Sequence, residues 1–225
     1  MNYVVKLVFA KWNVYELCWL GIFSAISVVI TILTNDSLFN FTVFITGVLC
    51  VVFAAKGSIW TYIFGSYNTF TYAWLAYSNN LYGEMGLNLF FFAPMNIIGF
   101  FMWRHKLKDG IVLMRKLANK ARALMALVIV ASTASLGYVL SMISGQATPY
   151  IDASTNVLSV VSQLLMAFRY KEQWTLYIVL NVLTVTMWSI RLAAGSPEAP
   201  IMIAMWSAYL INAFYGWYNW NKGAK

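Results

Sequence analysis

Eight apolar blocks, each about 17–25 residues long, follow one another along the chain, most of them parted only by short polar turns. They run approximately over Val14–Thr34, Leu38–Ala55, Ile59–Ser78, Glu84–Trp103, Ala123–Ser144, Ile151–Phe168, Trp174–Ala193 and Pro200–Trp220. Hydrocarbon offers no partner to an open backbone, so a block of that length with few charges spans a bilayer as a helix. Charged residues make up 10% of the chain, against roughly a quarter in a soluble domain. A large aqueous domain is therefore excluded. The fold expected is an all-α polytopic membrane protein with eight transmembrane helices.

Loop charge then orients the stack. With the N-terminus inside, all but Arg191 of the fifteen Lys and Arg residues fall on one side, and Asp36, Glu84, Asp152 and Glu198 fall on the other. Basic loops stay cytoplasmic, so both termini are expected inside, at the cell inner (plasma) membrane. The net charge of +8 sits between apolar blocks rather than on a water-exposed basic face, so nucleic acid is not an expected partner; the bilayer is. The basic, apolar stretch to Asn13 reads as an interfacial lead-in to a retained first span. Cys18 and Cys50 lie inside apolar blocks and imply neither a disulfide nor a metal.

The chain also lines up with itself, without a gap, at an offset of 114 residues. Trp60 falls on Trp174, Trp74 on Trp188, Trp103 on Trp217 and Glu84 on Glu198. Spans two to four and six to eight then form two triplets, with span five as connector, a 3+1+3 plan with one extra N-terminal helix. A single connecting span makes the triplets parallel, related by an axis near the membrane normal. The expected divisions are residues 1–37 (lead-in and first helix), 38–103 (first triplet), 104–144 (basic linker and connecting helix) and 151–220 (second triplet).

Enzyme chemistry finds no foothold. His105 is the only histidine and sits in the basic linker Arg104–Arg122, and no span carries paired carboxylates or a phosphate-binding glycine loop. No cofactor, metal or catalytic residue is expected. A membrane enzyme would need a polar cluster at the cytoplasmic face, where only His105 and Asp109 stand among the cations. A sensor or assembly subunit is the other class; it would show no flux on its own.

The polar residues at mid-membrane depth are neutral and fall in helical stripes. Span seven carries Trp174, Tyr177, Asn181, Thr184 and Trp188. Span six carries Asn156, Ser159, Gln163 and Met166, span four Asn88, Phe92 and Asn96, and span three Trp60, Phe64, Tyr67, Thr71 and Trp74 with Asn68 beside them. An unpaired amide in hydrocarbon costs about 2–7 kcal/mol, so such faces point at another helix or at a ligand. Interhelical glue accounts for any single amide, at about 1 kcal/mol. Alternating amides and flat rings suit a planar heterocycle joined to a sugar. Trp174, Tyr177, Asn181, Gln163, Asn88, Asn68, Asn96, Tyr67 and Ser159 are the groups on these faces able to meet such a ligand, and Asn212 of span eight is a further amide. Trp103, Trp217 and Trp220 lie at helix ends and read as interfacial anchors. With no ionisable group at mid-span and no ATP motif, passive facilitated diffusion is the simplest mechanism.

The stretch Tyr82-Gly-Glu-Met-Gly-Leu-Asn-Leu-Phe90, continuing through Pro94-Met-Asn-Ile-Ile-Gly99 to Trp103, resembles the signature of PnuC-type vitamin transporters. Ile151-Asp-Ala-Ser-Thr155, Ser162-Gln-Leu-Leu-Met166, Glu172-Gln-Trp174, Asn181 and Gly216-Trp217 add to the resemblance, which covers the chain from span two onward. It implies a 3+1+3 arrangement similar to the SWEET sugar transporters, and uptake of nicotinamide riboside with intracellular phosphorylation as the trap. A cytoplasmic kinase is thus an implied functional partner, and a homo-oligomer is compatible with the resemblance. Related members carry deoxynucleosides, thiamine or riboflavin. The substrate site is implied between the triplets, at Trp174 and Asn181 with Asn88 and Gln163 facing them. Members that carry nicotinamide riboside commonly have a second tryptophan where this chain has Tyr177.

Overall fold

The computed structural model describes residues 12–33, 38–78, 82–142, 148–195 and 199–224. Helices follow the apolar blocks: α1 is Val14–Leu33, α2 Leu38–Lys56 and α3 Trp60–Ser78. The fourth block is broken into α4 (Tyr82–Leu87), a π-helical turn at Asn88–Phe92, and α5 (Ala93–Arg104). After the linker come α6 (Asn119–Ser141), α7 (Pro149–Ala167), α8 (Gln173–Ala193) and α9 (Ala199–Gly223). Among the described residues Met85–Arg104, Asn119–Ser141 and Gln173–Ala193, of 20, 23 and 21 residues, are long and apolar enough to cross a membrane. At about 1.5 Å per residue each reaches about 30 Å or more, the thickness of the hydrocarbon core. The lead-in to Lys11, the turns at 35–37, 79–80 and 145–146, and Glu198 lie outside the described residues.

Local chemistry explains the helix ends and breaks. Asn13 accepts from the Glu16 amide at 2.8 Å, and Glu16 accepts from the Asn13 amide at 3.0 Å, a reciprocal cap that starts α1. Pro149 stands in the first turn of α7, where its missing N–H costs nothing. Pro94 sits just inside α5 and cannot donate to the turn before it, and there the chain widens so that the Ala93 amide reaches back to Asn88. One element departs from the all-α expectation. Leu107–Lys108 pairs antiparallel with Ile111–Val112 as a small hairpin, β1–β2. Asp109 and Gly110, at φ 53° and 82°, form the left-handed pair that a two-residue hairpin loop requires.

The chain divides into two compact units, residues 1–112 and 113–225. In the first, α1 packs on α2, α2 on α3, and α3 on α4 and α5; in the second, α6 packs on α7, α7 on α8 and α8 on α9. The connecting helix α6 therefore belongs to the packing of the second unit, as α1 belongs to the first. The second unit's apolar core is Leu158, Leu176 and Leu180, flanked by Met125 and Ile129 of α6. Each unit also ties its first helix to the turn between its next two helices with an ion pair. Glu16 meets Lys56 at 2.9 Å, and Glu172 meets Arg122 at 2.8 Å.

Those turns reveal the true register of the internal repeat. In the first unit the amides of Gly57, Ser58, Thr61 and Tyr62 donate to the carbonyls of Ala54, Phe53, Ser58 and Ile59. In the second, the amides of Arg169, Tyr170, Gln173 and Trp174 donate to Met166, Leu165, Tyr170 and Lys171. Every partner is displaced by 112 residues, and Gly57 and Arg169 share a positive φ, 74° and 67°. Tyr62, not Trp60, is thus the counterpart of Trp174.

Each of these rings lies on a glycine of the unit's last helix, Tyr62 on Gly99 and Trp174 on Gly216. One turn further along, Trp103 and Trp220 complete the two clusters, with ring centroids 4.9 and 6.2 Å from Tyr62 and Trp174. Here the displacement is 117 residues, because the second unit uses five more residues between its aromatic ring and its glycine. The ungapped offset of 114 is a compromise between two registers, and its pairing of Trp103 with Trp217 does not hold. Trp103 and Trp220 are also fully buried, so they are packing residues rather than interfacial anchors. Trp217, 45% exposed, fits the anchor role.

Candidate functional site

The face of α8 singled out by its stripe is the face turned into the second unit. Trp174, Asn181 and Thr184 are buried, and Tyr177 is partly so. Steps of three and four keep these side chains on one side of the helix, where α7 and α9 can reach them. From α7, Gln163 is buried and its amide oxygen accepts from the Tyr177 hydroxyl at 3.4 Å, a long and therefore weak bond. From α9, Gly216 lets the Trp174 ring lie against the helix backbone, since a Cβ there would stand 2.5 Å from Cε3 of the indole. The Trp174 and Tyr177 rings are 5.8 Å apart and tilted by 55°. Asn212, one turn before Gly216, is buried as well.

Unmet polar groups gather at the same place. Among the described residues, Trp174 Nε1, Ser162 Oγ and both amide atoms of Gln173 are buried with no hydrogen-bond partner. Gln173 and Ser162 are fully enclosed. Leaving a buried donor or acceptor unmatched costs about 1–3 kcal/mol, so three such residues in neighbouring turns mark an unusual spot. The structural repeat sharpens the point. The counterparts of Gln173 and Ser162 in the first unit are Thr61 and Cys50, and there the Thr61 hydroxyl donates to the Cys50 carbonyl at 3.0 Å. Tyr177 has Gly65 as its counterpart, and Asn181 has Thr69, which accepts from Asn96 at 3.1 Å. At the positions of Gln173, Ser162 and Asn181 the first unit thus bonds its side chains internally, and at the position of Tyr177 it places no ring. Sequence spacing does not single out Gln173 and Ser162, because a lone Gln at a helix start and a lone Ser look like ordinary polar residues.

Several first-unit candidates are engaged inside that unit. The Asn68 amide donates to the Val43 carbonyl at 2.7 Å, and Asn96 holds Thr69, so both join helices. Tyr67 is 46% exposed with its hydroxyl 3.1 Å from Thr42 Oγ1, and Trp74 is 62% exposed, while Phe64 of the same stripe stacks on Phe53 within the unit. Asn88 opens the π-helical turn and is half-buried. On α7, Ser159 is half-buried, while Asn156 is exposed and bonded back to the Asp152 carbonyl at 2.8 Å.

A cleft of about 310 Å³ lies on another face of α8, lined by Glu172, Thr175 and Leu176 with residues of α6 and α9. None of Trp174, Tyr177, Asn181 or Gln163 lines it. The two features share a helix but not a surface.

Comparison with known proteins gives a consistent picture. A sequence model described as "Nicotinamide mononucleotide transporter" matches residues 37–222. The chain is 37% identical over 223 residues to a nicotinamide riboside transporter PnuC of Neisseria mucosa, covering 96% of this chain and 84% of that protein. It is 35% identical over 217 residues to the protein of the same name from Haemophilus influenzae, covering 95% and 92%. A solved structure described as the vitamin B3 transporter PnuC superposes with a TM-score of 0.82 at 35% identity, covering 99% of this chain and 97% of that one.

Proposed function

The chain belongs to the nicotinamide mononucleotide transporter family, and on that premise we propose that it carries nicotinamide riboside into the cell by facilitated diffusion. It is a multi-pass membrane transporter and not an enzyme, in keeping with a sequence that offers no catalytic constellation. The observation that carries the substrate reading is the buried face of α8. There Trp174, Tyr177 and Asn181 share one helix face, Gln163 of α7 meets Tyr177, and the buried Trp174 Nε1 has no hydrogen-bond partner.

In this reading Trp174 and Tyr177 flank the pyridinium ring, whose positive charge favours contact with an aromatic face. Asn181, Gln163 and Asn88 bond the ribose and the carboxamide, which needs one donor and one acceptor. Asn212 and Ser159 line the same region. Asn68, Asn96 and Tyr67, already bonded within the first unit, take a lesser part. The two triplets, α2–α5 and α7–α9, form the SWEET-like 3+1+3 pair and move about the site. The loop placement of fourteen of the fifteen Lys and Arg residues supports cytoplasmic termini at the inner membrane. The substrate's own gradient drives the flux, without an ion gradient, and a cytoplasmic kinase retains the product by phosphorylating it. Homo-oligomerisation is compatible with this mechanism and is not required by it.

A binding titration of the purified protein tests the assignment. Nicotinamide riboside should bind saturably, and Trp174→Ala should abolish binding and uptake while the protein still inserts and purifies. Thymidine should not compete. Unchanged transport by Trp174→Ala would remove the α8 face from the mechanism. Competition by thymidine would move the substrate class to deoxyribonucleosides, the alternative within the family.

A further inference from the structure

We infer that the cleft between α6, α8 and α9 is a binding site for the phosphate headgroup of an anionic phospholipid. Three helix ends meet there: the first turn of α6 with Arg122, the start of α8 with Lys171 and Glu172 just before it, and the last turns of α9 with Asn221. Lys171 Nζ donates to Asn221 Oδ1 at 2.6 Å, and Arg122 grips Glu172 at 2.8 Å. These bonds hold both cations at the rim without exhausting them, since an ammonium has three donors and a guanidinium five. Two cations stand against one carboxylate, so the rim keeps a net positive charge. The Arg122 side chain is 40% exposed and can be approached from outside.

Below the rim the chemistry changes. Met125 lies one turn into α6 from Arg122, Leu176 one turn into α8 from Glu172, and Trp217 one turn back along α9 from Asn221. All three line the cleft and are apolar or aromatic, so the floor turns greasy in the direction of the bilayer. That gradient decides between possible anions. A soluble phosphate would use the rim and gain nothing from the floor. A phospholipid uses both, with its phosphate on Lys171 and Arg122 and the start of an acyl chain on Met125, Leu176 and Trp217. Basic pockets between membrane helices at the positively charged face are suited to such headgroups, and a half-exposed Trp at that depth is an interfacial residue. The cleft is separate from the substrate face of α8, so the site stands or falls independently of the transport assignment.

The test is thermal unfolding of the full-length protein in a mild detergent, with phosphatidylglycerol, phosphatidylcholine or inorganic phosphate added. Phosphatidylglycerol should raise the apparent melting temperature about 3 °C or more above phosphatidylcholine, because a ligand that binds only the folded state stabilises it. Lys171→Gln should lose that difference, while Lys116→Gln, in the linker outside the cleft, should keep it. If Lys171→Gln does not fold, Asn221→Asp, which brings a negative charge into the rim, should lose it instead. Equal shifts with the two lipids would overturn the proposal. So would a preference that survives in the cleft variants, or an inorganic phosphate shift equal to that of phosphatidylglycerol.

Discussion

Trp174 depends on what lies beneath it. Gly216 has no side chain, so the indole can rest on α9, and a methyl group there would meet Cε3 of the ring at 2.5 Å. Overpacking of this kind costs about 1–3 kcal/mol, and at Gly216 that cost falls on a proposed substrate contact. Gly216→Ala should therefore weaken nicotinamide riboside binding about tenfold or more by calorimetry. Gly99→Ala is the matched comparison, because a Cβ there would collide with Tyr62 in the first unit. It should lower stability by about 1–3 kcal/mol and leave the affinity nearly unchanged. Equal effects of both substitutions on affinity would mean that the Trp174 cluster is only packing. The α8 stripe was legible in the sequence because helical spacing exposes a shared face. Gln173 and Ser162 were not, since an unmet hydrogen bond is a property of the packed structure. Trp103 looks like an anchor in the sequence for the same reason: its place at a helix end is visible there, and its burial against Tyr62 is not.

Among the elements, the turns between paired helices hold the units together. Glu16 and Lys56 are 3% and 10% exposed, so their ion pair is largely removed from water, and the Lys56 ammonium also sits 4.8 Å from the Trp12 ring. Lys56→Met leaves Glu16 charged and buried, which should cost about 3–5 kcal/mol in an unfolding titration. Adding Glu16→Gln should recover a substantial part of that loss, because no lone charge remains. A double variant as unstable as the sum of the single variants would show that the two residues do not act as a pair. The apolar blocks gave most helices away, since block length and helix length follow the same bilayer thickness. Two local features escaped. The Asp109-Gly110 pair lay within a run of cations and was passed over as a linker, although it is a strong hairpin signal. The break before Pro94 was hidden because the block remains apolar throughout.

For the molecule as a whole, the repeat is a shared scaffold with unequal interiors. Both units carry an aromatic ring on a glycine, a buried tryptophan one turn away and the same hydrogen-bonded turn. Only the second places a ring, Tyr177, where the first has Gly65, and only there do Gln173 and Ser162 lack partners among the described residues. The offset of 114 pointed to the duplication but misaligned it, because an ungapped comparison cannot follow a repeat whose displacement changes from 112 to 117. This protein, with its α8 face intact, should suffice without another component to move nicotinamide riboside down its gradient. The measurement is uptake of labelled nicotinamide riboside into proteoliposomes containing only this protein. The flux should be saturable, stop at equal concentrations inside and out, be unaffected by proton or sodium gradients and be absent with Trp174→Ala. No flux, or accumulation against the gradient when an ion gradient is imposed, would contradict it.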